Sequence, residues 1–293
     1  MQRLLSIAVV SNVGLLCKAA MNCGFCSVQV NGLPHLIAAL ENSKRDRGQG
    51  ILTIANHIST LDDPVTWGIL PAQYFFNPRN TRWALGASDI MFTNPVFSTF
   101  FHLGQTLETF RGNGIHQPAL DTAIEKVNQG NWVHLYGEGK VNQPDTYVFD
   151  KDGFPRLPRF KWGVGRIVME ANIPPVVIPM WLTGYNNLMP EGRKFPYKYF
   201  PRPGAQLSVT FGDPIPTEEI KKALGVLDIN SDRDSGEKLP GWLGDEANRL
   251  TETKGKTVDA AKIRSEVTAI LQRAVESLGR SVLQRTTSNQ NTH

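Results

Sequence analysis

The stretch Ile51-Leu52-Thr53-Ile54-Ala55-Asn56-His57-Ile58-Ser59-Thr60-Leu61-Asp62-Asp63-Pro64 decides the fold. Its first five residues are an apolar, β-branched run that reads as a buried strand, and polar turn residues end it. Pro64 suits the first position of a helix, where no amide partner is needed and φ is already helical, with Asp63 expected as the cap. Strand, turn and helix in this order make an α/β unit, and the carboxyl end of a buried strand is where such folds keep their reactive groups. His57 and Asp62 then share one turn. A carboxylate accepting from one imidazole nitrogen fixes the tautomer and stabilises the imidazolium, which leaves the other nitrogen to take a proton from a substrate hydroxyl. The spacing alone fits equally a turn histidine bonded to a nearby carbonyl.

Outward from this unit, further strands are expected at residues 132–136, 176–182 and 207–211, each a short apolar or β-branched run ended by turn residues. Residues 119–128 and 163–171 have helical length and spacing. The pattern predicts a single α/β domain, a mixed central sheet flanked by helices, over residues 31–225. Residues 226–257 turn polar, with Trp242 and Leu243 among the few apolar anchors, and are expected to form a mobile insertion. Ile263, Val267, Ile270, Leu271, Ala274, Val275, Leu278 and Val282 recur at three and four residues, which predicts an amphipathic helix over 258–285 packed on the domain. Residues 286–293 are expected as a disordered tail.

A chain of 293 residues buries a substantial core, and its net charge of +4 is too small to make the whole fold a nucleic-acid binder. The surplus suits an anionic lipid surface. Cys17, Cys23 and Cys26 lie together near the start without a second pair to complete a metal site, and they read as buried or lipid-facing thiols. Residues 4–17 carry no charge, and within the expected membrane-associating segment 1–30 the residues Leu5, Val9, Val13 and Leu16 are expected to meet lipid. Crossing a bilayer takes about 20 predominantly apolar residues. Ser6, Ser11, Asn12, Lys18 and Asn22 interrupt this segment, so a helix lying in the interface is the expected arrangement. A secretory signal is the rival reading, disfavoured by Arg3 being the one early basic residue and by the want of a small-residue cleavage site. The absence of Asp and Glu before Glu41 is compatible with mitochondrial import, although the arginine density of a transit peptide is missing. A second apolar stretch, from Ile90-Met91-Phe92 through Pro95-Val96-Phe97 to Phe100-Phe101-His102-Leu103, reads either as a membrane wedge touching lipid through Phe97 and Phe101 or as an aromatic core helix.

Downstream of His57 come Arg111 in Glu108-Thr109-Phe110-Arg111-Gly112, Tyr136-Gly137-Glu138-Gly139-Lys140, and Val176-Val177-Ile178-Pro179-Met180-Trp181-Leu182-Thr183-Gly184. In this order the blocks resemble the four blocks of glycerolipid acyltransferases. Asn56-His57 running through Asp62-Asp63-Pro64 to Trp67-Gly68-Ile69-Leu70, with Glu138-Gly139-Lys140-Val141-Asn142 and Phe160-Lys161-Trp162-Gly163-Val164-Gly165-Arg166, is similar to the tafazzin family of phospholipid–lysophospholipid transacylases. The likeness spans roughly residues 1 to 216. It implies a glycerol-phosphate acyltransferase-like fold, His57 as general base, Asp62 as its orienter, and a glycerophosphate held by Arg111, Glu138, Gly139 and Lys140. It also implies phospholipid and lysophospholipid substrates, cardiolipin and monolysocardiolipin among them, and residence on mitochondrial membranes facing the intermembrane space.

The residues themselves fit that chemistry. A glycine-rich turn after a strand exposes backbone amides to phosphate, and a lysine and an arginine add charge and a planar bidentate contact. Glu138 repels a phosphate and is expected to hold Arg111 or a loop amide, or to bind glycerol hydroxyls. Gly137 stands where the third block usually has a proline, which predicts a less rigid loop. Ser59 is expected in a turn or capping role, Asp63 as a cap, and His102, His116 and His134 as structural. No cofactor is expected, because a lysolipid hydroxyl attacks a donor ester directly, while acyl-CoA stays open as the rival donor. No metal is expected, since His57, Asp62, Asp63 and Glu138 offer no second histidine at ligand spacing. A non-catalytic lipid-binding protein of the same fold is the alternative outside enzymology, with Gly137 as its support.

Overall fold

In the computed structural model, which describes residues 1–226, 239–254 and 259–290, the chain opens with α1 (Gln2–Asn22), β1 (Cys26–Asn31), α2 (Leu33–Leu40) and β2 (Ile51–Ala55). Then come α3 (Asp62–Thr66), β3 (Trp83–Ala87), α4 (Ser88–Met91), α5 (Pro95–Leu103), β4 (Thr106–Thr109), α6 (Pro118–Asn128) and β5 (Trp132–Tyr136). A small hairpin of β6 (Val148–Phe149) and β7 (Pro155–Arg156) precedes α7 (Trp162–Glu170), β8 (Val176–Thr183), α8 (Tyr185–Leu188) and β9 (Ala205–Phe211). The helices α9 (Thr217–Lys221), α10 (Gly241–Lys254) and α11 (Ala260–Gln290) follow.

Seven strands form one sheet in the order β1-β9-β8-β2-β5-β3-β4. From β8 to β4 all neighbours are parallel, β9 runs antiparallel to β8, and β1 runs parallel to β9. The sheet is therefore mixed, as the sequence predicts. All five residues of β2 are buried between β5 and β8, which explains a strand without polar alternation. Register places Ala55 beside both Tyr136 and Met180, so the turns after β2, β5 and β8 leave the sheet along one edge.

Several boundaries differ from expectation. β1 belongs to the sheet, so the segment expected at 1–30 divides into a helix ending at Asn22 and a strand starting at Cys26. β3 and β4 extend the sheet beyond β5 and were not legible. Within the expected mobile insertion 226–257, residues Gly241–Lys254 are helical, with Leu243 buried and the Trp242 indole Nε1 donating to the Val168 carbonyl at 2.7 Å. Residues 227–238 and 255–258 of that insertion lie outside the described residues. α11 continues to Gln290, into the expected disordered tail, of which 291–293 lie outside the described residues. α3 begins at Asp62 with Leu61 as its N-cap, so Asp63 sits inside the first turn and does not cap it.

α1 is long and apolar enough to cross a membrane by length and composition, and it lies along the domain through small residues. A Cβ on Gly14 would fall 2.8 Å from the Phe75 ring, and one on Gly68 would fall 3.0 Å from Cys17. Ser6 Oγ donates to the Leu103 carbonyl at 2.7 Å, joining α1 to the end of α5. Leu4, Leu5, Leu15 and Leu16 form an exposed stripe at helical spacing. Beside it α5 exposes Val96, Phe97 and Phe100. Of the residues expected to face lipid, Leu5, Leu16 and Phe97 are exposed, whereas Val9, Val13 and Phe101 are half-buried. The Phe101 ring turns instead toward Phe92, with centroids 5.9 Å apart.

Candidate active site

β2 delivers His57 to the carboxyl edge of the sheet. Asn56 fixes the exit: its amide Nδ2 donates to the Leu182 carbonyl at 3.0 Å and its Oδ1 accepts from the Leu182 amide at 2.8 Å, which locks the turn to β8. Five residues on, Asp62 is completely buried, and its Oδ2 lies 2.9 Å from His57 Nδ1. The same oxygen accepts from the backbone amides of Ile58 at 2.7 Å and Ser59 at 2.9 Å. Oδ2 is thus an acceptor on every side, so His57 Nδ1 carries the hydrogen and Nε2 keeps its lone pair. Among the described residues no protein group engages Nε2, and the imidazole side chain is 20% exposed. Burial pushes the Asp62 carboxyl up, opposed by His57 and by the Ser59 and Ile58 amides. Ser59, itself buried, accepts from the Leu61 amide at 3.2 Å through Oγ, the turn role expected of it.

The third block closes on the first. Glu138 is buried, its Oε1 accepts the His57 backbone amide at 2.8 Å, and its Oε2 accepts the Asn142 amide Nδ2 at 2.5 Å. Asn142 returns a bond from its own backbone amide to the His57 carbonyl at 2.7 Å. Glu138 therefore braces a loop amide, one of the roles expected of it, and among the described residues it makes no bond to Arg111, whose guanidinium meets Asp89. Burial pushes its carboxyl up to about 7, against the His57 amide and Asn142. Beneath the imidazole the Tyr136 ring stacks nearly parallel, centroids 4.1 Å apart and planes 18° apart. Buried as it is, the Tyr136 phenol is held well above its ordinary pKa and stays neutral.

Gly137 is not loose. Its amide bonds the Ala55 carbonyl at 3.3 Å, its carbonyl accepts the Lys161 amide at 2.8 Å, and the buried Phe160 ring rests where a Cβ would stand, 2.4 Å away. The lost rigidity of a proline is replaced by packing. Gly139 takes φ +70°, a left-handed conformation that suits glycine, and leaves Lys140 exposed at the tip of the turn.

Arg111 stands beyond β4, at the same edge as His57 and Lys140 because β2, β5, β3 and β4 are parallel neighbours. Its guanidinium is about half exposed and meets Asp89 at 3.3 Å. Asp63 bonds other partners. It is ion-paired with Arg82 and accepts from Trp67 Nε1 at 3.0 Å; burial would raise its carboxyl, but Arg82 prevails and holds it below the usual range. Arg82 carries no motif and was not legible; it ties Asp63 to the Gly104 carbonyl at 2.8 Å. His134 is structural: Nδ1 bonds Thr53 Oγ1 at 2.7 Å, and burial pushes its pKa down to about 3.

The acyltransferase family model, described simply as Acyltransferase, matches residues 36–183, which hold His57, Asp62, Arg111 and the Glu138 turn. A Dictyostelium discoideum protein named Taffazin is 35% identical over 222 residues, covering 74% of this chain and 71% of its own length. Tafazzin of Saccharomyces cerevisiae is 31% identical over 282 residues, covering 83% of this chain and 72% of its own.

This chain belongs to the tafazzin family of glycerolipid acyltransferases.

As a tafazzin-family protein it is an acyltransferase with phospholipid substrates. A plant relative, the N-acylphosphatidylethanolamine synthase of Arabidopsis thaliana, is 35% identical over 214 residues, 71% of this chain and 69% of that one. The fold itself is shared with the solved 1-acyl-sn-glycerophosphate acyltransferase PlsC from Thermotoga maritima, at a TM-score of 0.50 and 17% identity over 92% of this chain and 79% of that one. Arg166, which ends the Phe160–Arg166 stretch of the likeness, clamps two helices of this domain. It bonds Asp121 at 2.7 Å, Glu170 at 2.9 Å and the Ile115 carbonyl at 2.8 Å, fastening α6 to α7.

Proposed function

We propose that this chain is a CoA-independent transacylase that moves acyl chains between phospholipids and lysophospholipids and remodels cardiolipin on mitochondrial membranes, from the side facing the intermembrane space. The observation that carries the chemistry is the 2.9 Å bond from His57 Nδ1 to a fully buried Asp62, with Nε2 left open. Nε2 takes the proton of a lysolipid hydroxyl, such as that of monolysocardiolipin, as its oxygen attacks the ester carbonyl of a donor phospholipid. The tetrahedral intermediate collapses by breaking the donor's carbon–oxygen bond, and the imidazolium returns the proton to the departing lysolipid oxygen. One ester forms as one breaks, so no cofactor or energy source enters. Lys140 and Arg111, on one sheet edge with His57, hold the glycerophosphate, and the exposed α1 and α5 residues meet the membrane surface.

The test is transfer of a labelled acyl chain from phosphatidylcholine to monolysocardiolipin by purified protein without CoA, with His57→Ala in parallel. Transfer by the parent and none by the variant is expected; equal rates in both remove the mechanism, and a requirement for acyl-CoA transfers the donor role to the thioester. Similarity to the plant N-acylphosphatidylethanolamine synthase makes an amine acceptor a second reading, and labelled amide formed when phosphatidylethanolamine replaces monolysocardiolipin would establish it.

A further inference from the structure

The loop between α8 and β9 is the most exposed aromatic surface of the chain, and no role in the reaction falls to it. Phe195 is 77% exposed, Tyr197 68%, Tyr199 63% and Phe200 62%. Four aromatic rings held in water within six residues are costly unless something covers them. Threaded among them are Arg193, Lys194, Lys198 and Arg202, against the single carboxylate Glu191. None of these cations has an ion-pair partner among the described residues; Lys198 Nζ lies 4.9 Å from the Tyr199 ring centroid, and Arg193 meets only the Pro190 carbonyl and the Met189 sulfur. The whole chain carries a net charge of only +4, so this loop is a local cationic patch. Amphipathic aromatic rings flanked by unpaired cations match the headgroup layer of a bilayer, where rings sit at the polar–apolar boundary and cations meet phosphate.

The loop is also tied to the site. Its base closes through the Arg202 amide on the Leu188 carbonyl at 2.8 Å. Gln143 then joins it to the catalytic turn: Nε2 donates to the Met189 carbonyl at 3.1 Å and the Ile58 carbonyl at 3.4 Å, and Oε1 accepts the Glu191 amide at 3.2 Å. Ile58 is the residue after His57. The loop leaves the sheet after the carboxyl end of β8, which is the parallel neighbour of β2, so it emerges at the same edge as the catalytic turn.

From this placement we propose that residues 193–202 form a second membrane contact, one that reads anionic phospholipid headgroups and seats the catalytic turn on the bilayer. The role rests on the lipid-acyltransferase reading for its purpose but not for its measurement. Each cation against an anionic surface strengthens binding by about fivefold, so removing two weakens it by roughly 25-fold. The experiment is sedimentation of the full chain with phosphatidylcholine vesicles containing or lacking phosphatidylglycerol. Lys194→Gln/Lys198→Gln is compared with Lys44→Gln/Arg47→Gln, an equal loss of charge ahead of the amino end of β2, away from the site. Expected is a large loss of binding to the phosphatidylglycerol vesicles in the loop pair alone, screened by added salt, and a similar loss in Phe195→Ser/Tyr199→Ser. An equal loss in both charge pairs would reduce the effect to overall charge, and unchanged sedimentation of the loop pair would leave the surface to a protein partner; either result overturns the proposal. Vesicle binding needs no turnover, so a loop-dependent protein that moves no acyl chain refutes the transacylase reading alone, and an active protein whose binding ignores the loop refutes this one alone.

Discussion

Replacing Asp62 by asparagine isolates the step on which the proposed chemistry turns. Asp62 Oδ2 holds His57 Nδ1 at 2.9 Å and two backbone amides besides. All three donors meet that one oxygen, so an asparagine that keeps its oxygen there keeps the contacts and puts its NH2 at the Oδ1 position, which has no hydrogen-bond partner among the described residues. The loss is then electrostatic. Charge centres about 4 Å apart attract by about 4 kcal/mol at an effective dielectric of 20, stabilisation that the imidazolium no longer receives. At 1.36 kcal/mol per tenfold this is about three orders of magnitude in rate. The fold is expected to survive, because the substitution removes a buried charge whose burial is unfavourable and keeps both amide contacts. The assay is initial rate of labelled acyl transfer alongside thermal unfolding followed by circular dichroism. A variant folded like the parent and slower by about 10³ or more is the expected result; one folded like the parent and within tenfold of its rate would refute the dyad.

Three further outcomes follow from the same geometry. Glu138, raised from 4.5 to about 7 by burial, binds its proton more tightly folded than unfolded, so its share of stability is present below about pH 4.5 and is lost as pH rises to about 7, by at most about 3 kcal/mol; Glu138→Gln should flatten the fall in melting temperature across that window, and parallel curves for parent and variant would contradict the assignment. Gly137→Ala puts a methyl 2.4 Å from the Phe160 ring and should cost about 1–3 kcal/mol in urea unfolding, with transfer activity falling alongside. Phe97→Ser/Phe100→Ser, both on the exposed side of α5, should weaken partitioning to neutral vesicles by roughly 30-fold, whereas Phe101→Ser alone, its ring turned inward to Phe92, should act mainly on melting temperature.

Among the strands that the sequence announces, β2, β5 and β8 are buried on both faces. β2 and β5 stand between other strands, and their unbroken apolar runs leave no polar alternation to confuse with a helix. β1, β3 and β4 lie toward the edges, where half-exposed residues and short length dilute the signal: Cys26–Asn31 alternates weakly, and Thr106–Thr109 has four residues, three of them half-buried. α10 was hidden for a similar reason, since its packing rests on Trp242 and Leu243 within a polar composition.

At the site the same division holds between local and tertiary information. His57 and Asp62 were legible because one turn carries both, and five residues of chain suffice to bring them together. Arg82 and Gln143 were not, because their partners, Asp63 and the Ile58 and Met189 carbonyls, are 19, 85 and 46 residues away and no short motif encodes the meeting. For Glu138 the third block leaves Arg111, a loop amide and glycerol hydroxyls open as partners, since charge and chain position do not separate them; the register of β2 on β5 brings the His57 amide to it. Gly137 shows how far the distinction reaches. Taken by itself a glycine in place of a proline predicts a looser turn; with Phe160 packed into the vacant Cβ position it is a fitted contact. The two residues are 23 positions apart, and what one lacks the other fills, so the rigidity of the catalytic edge is a property of the pair.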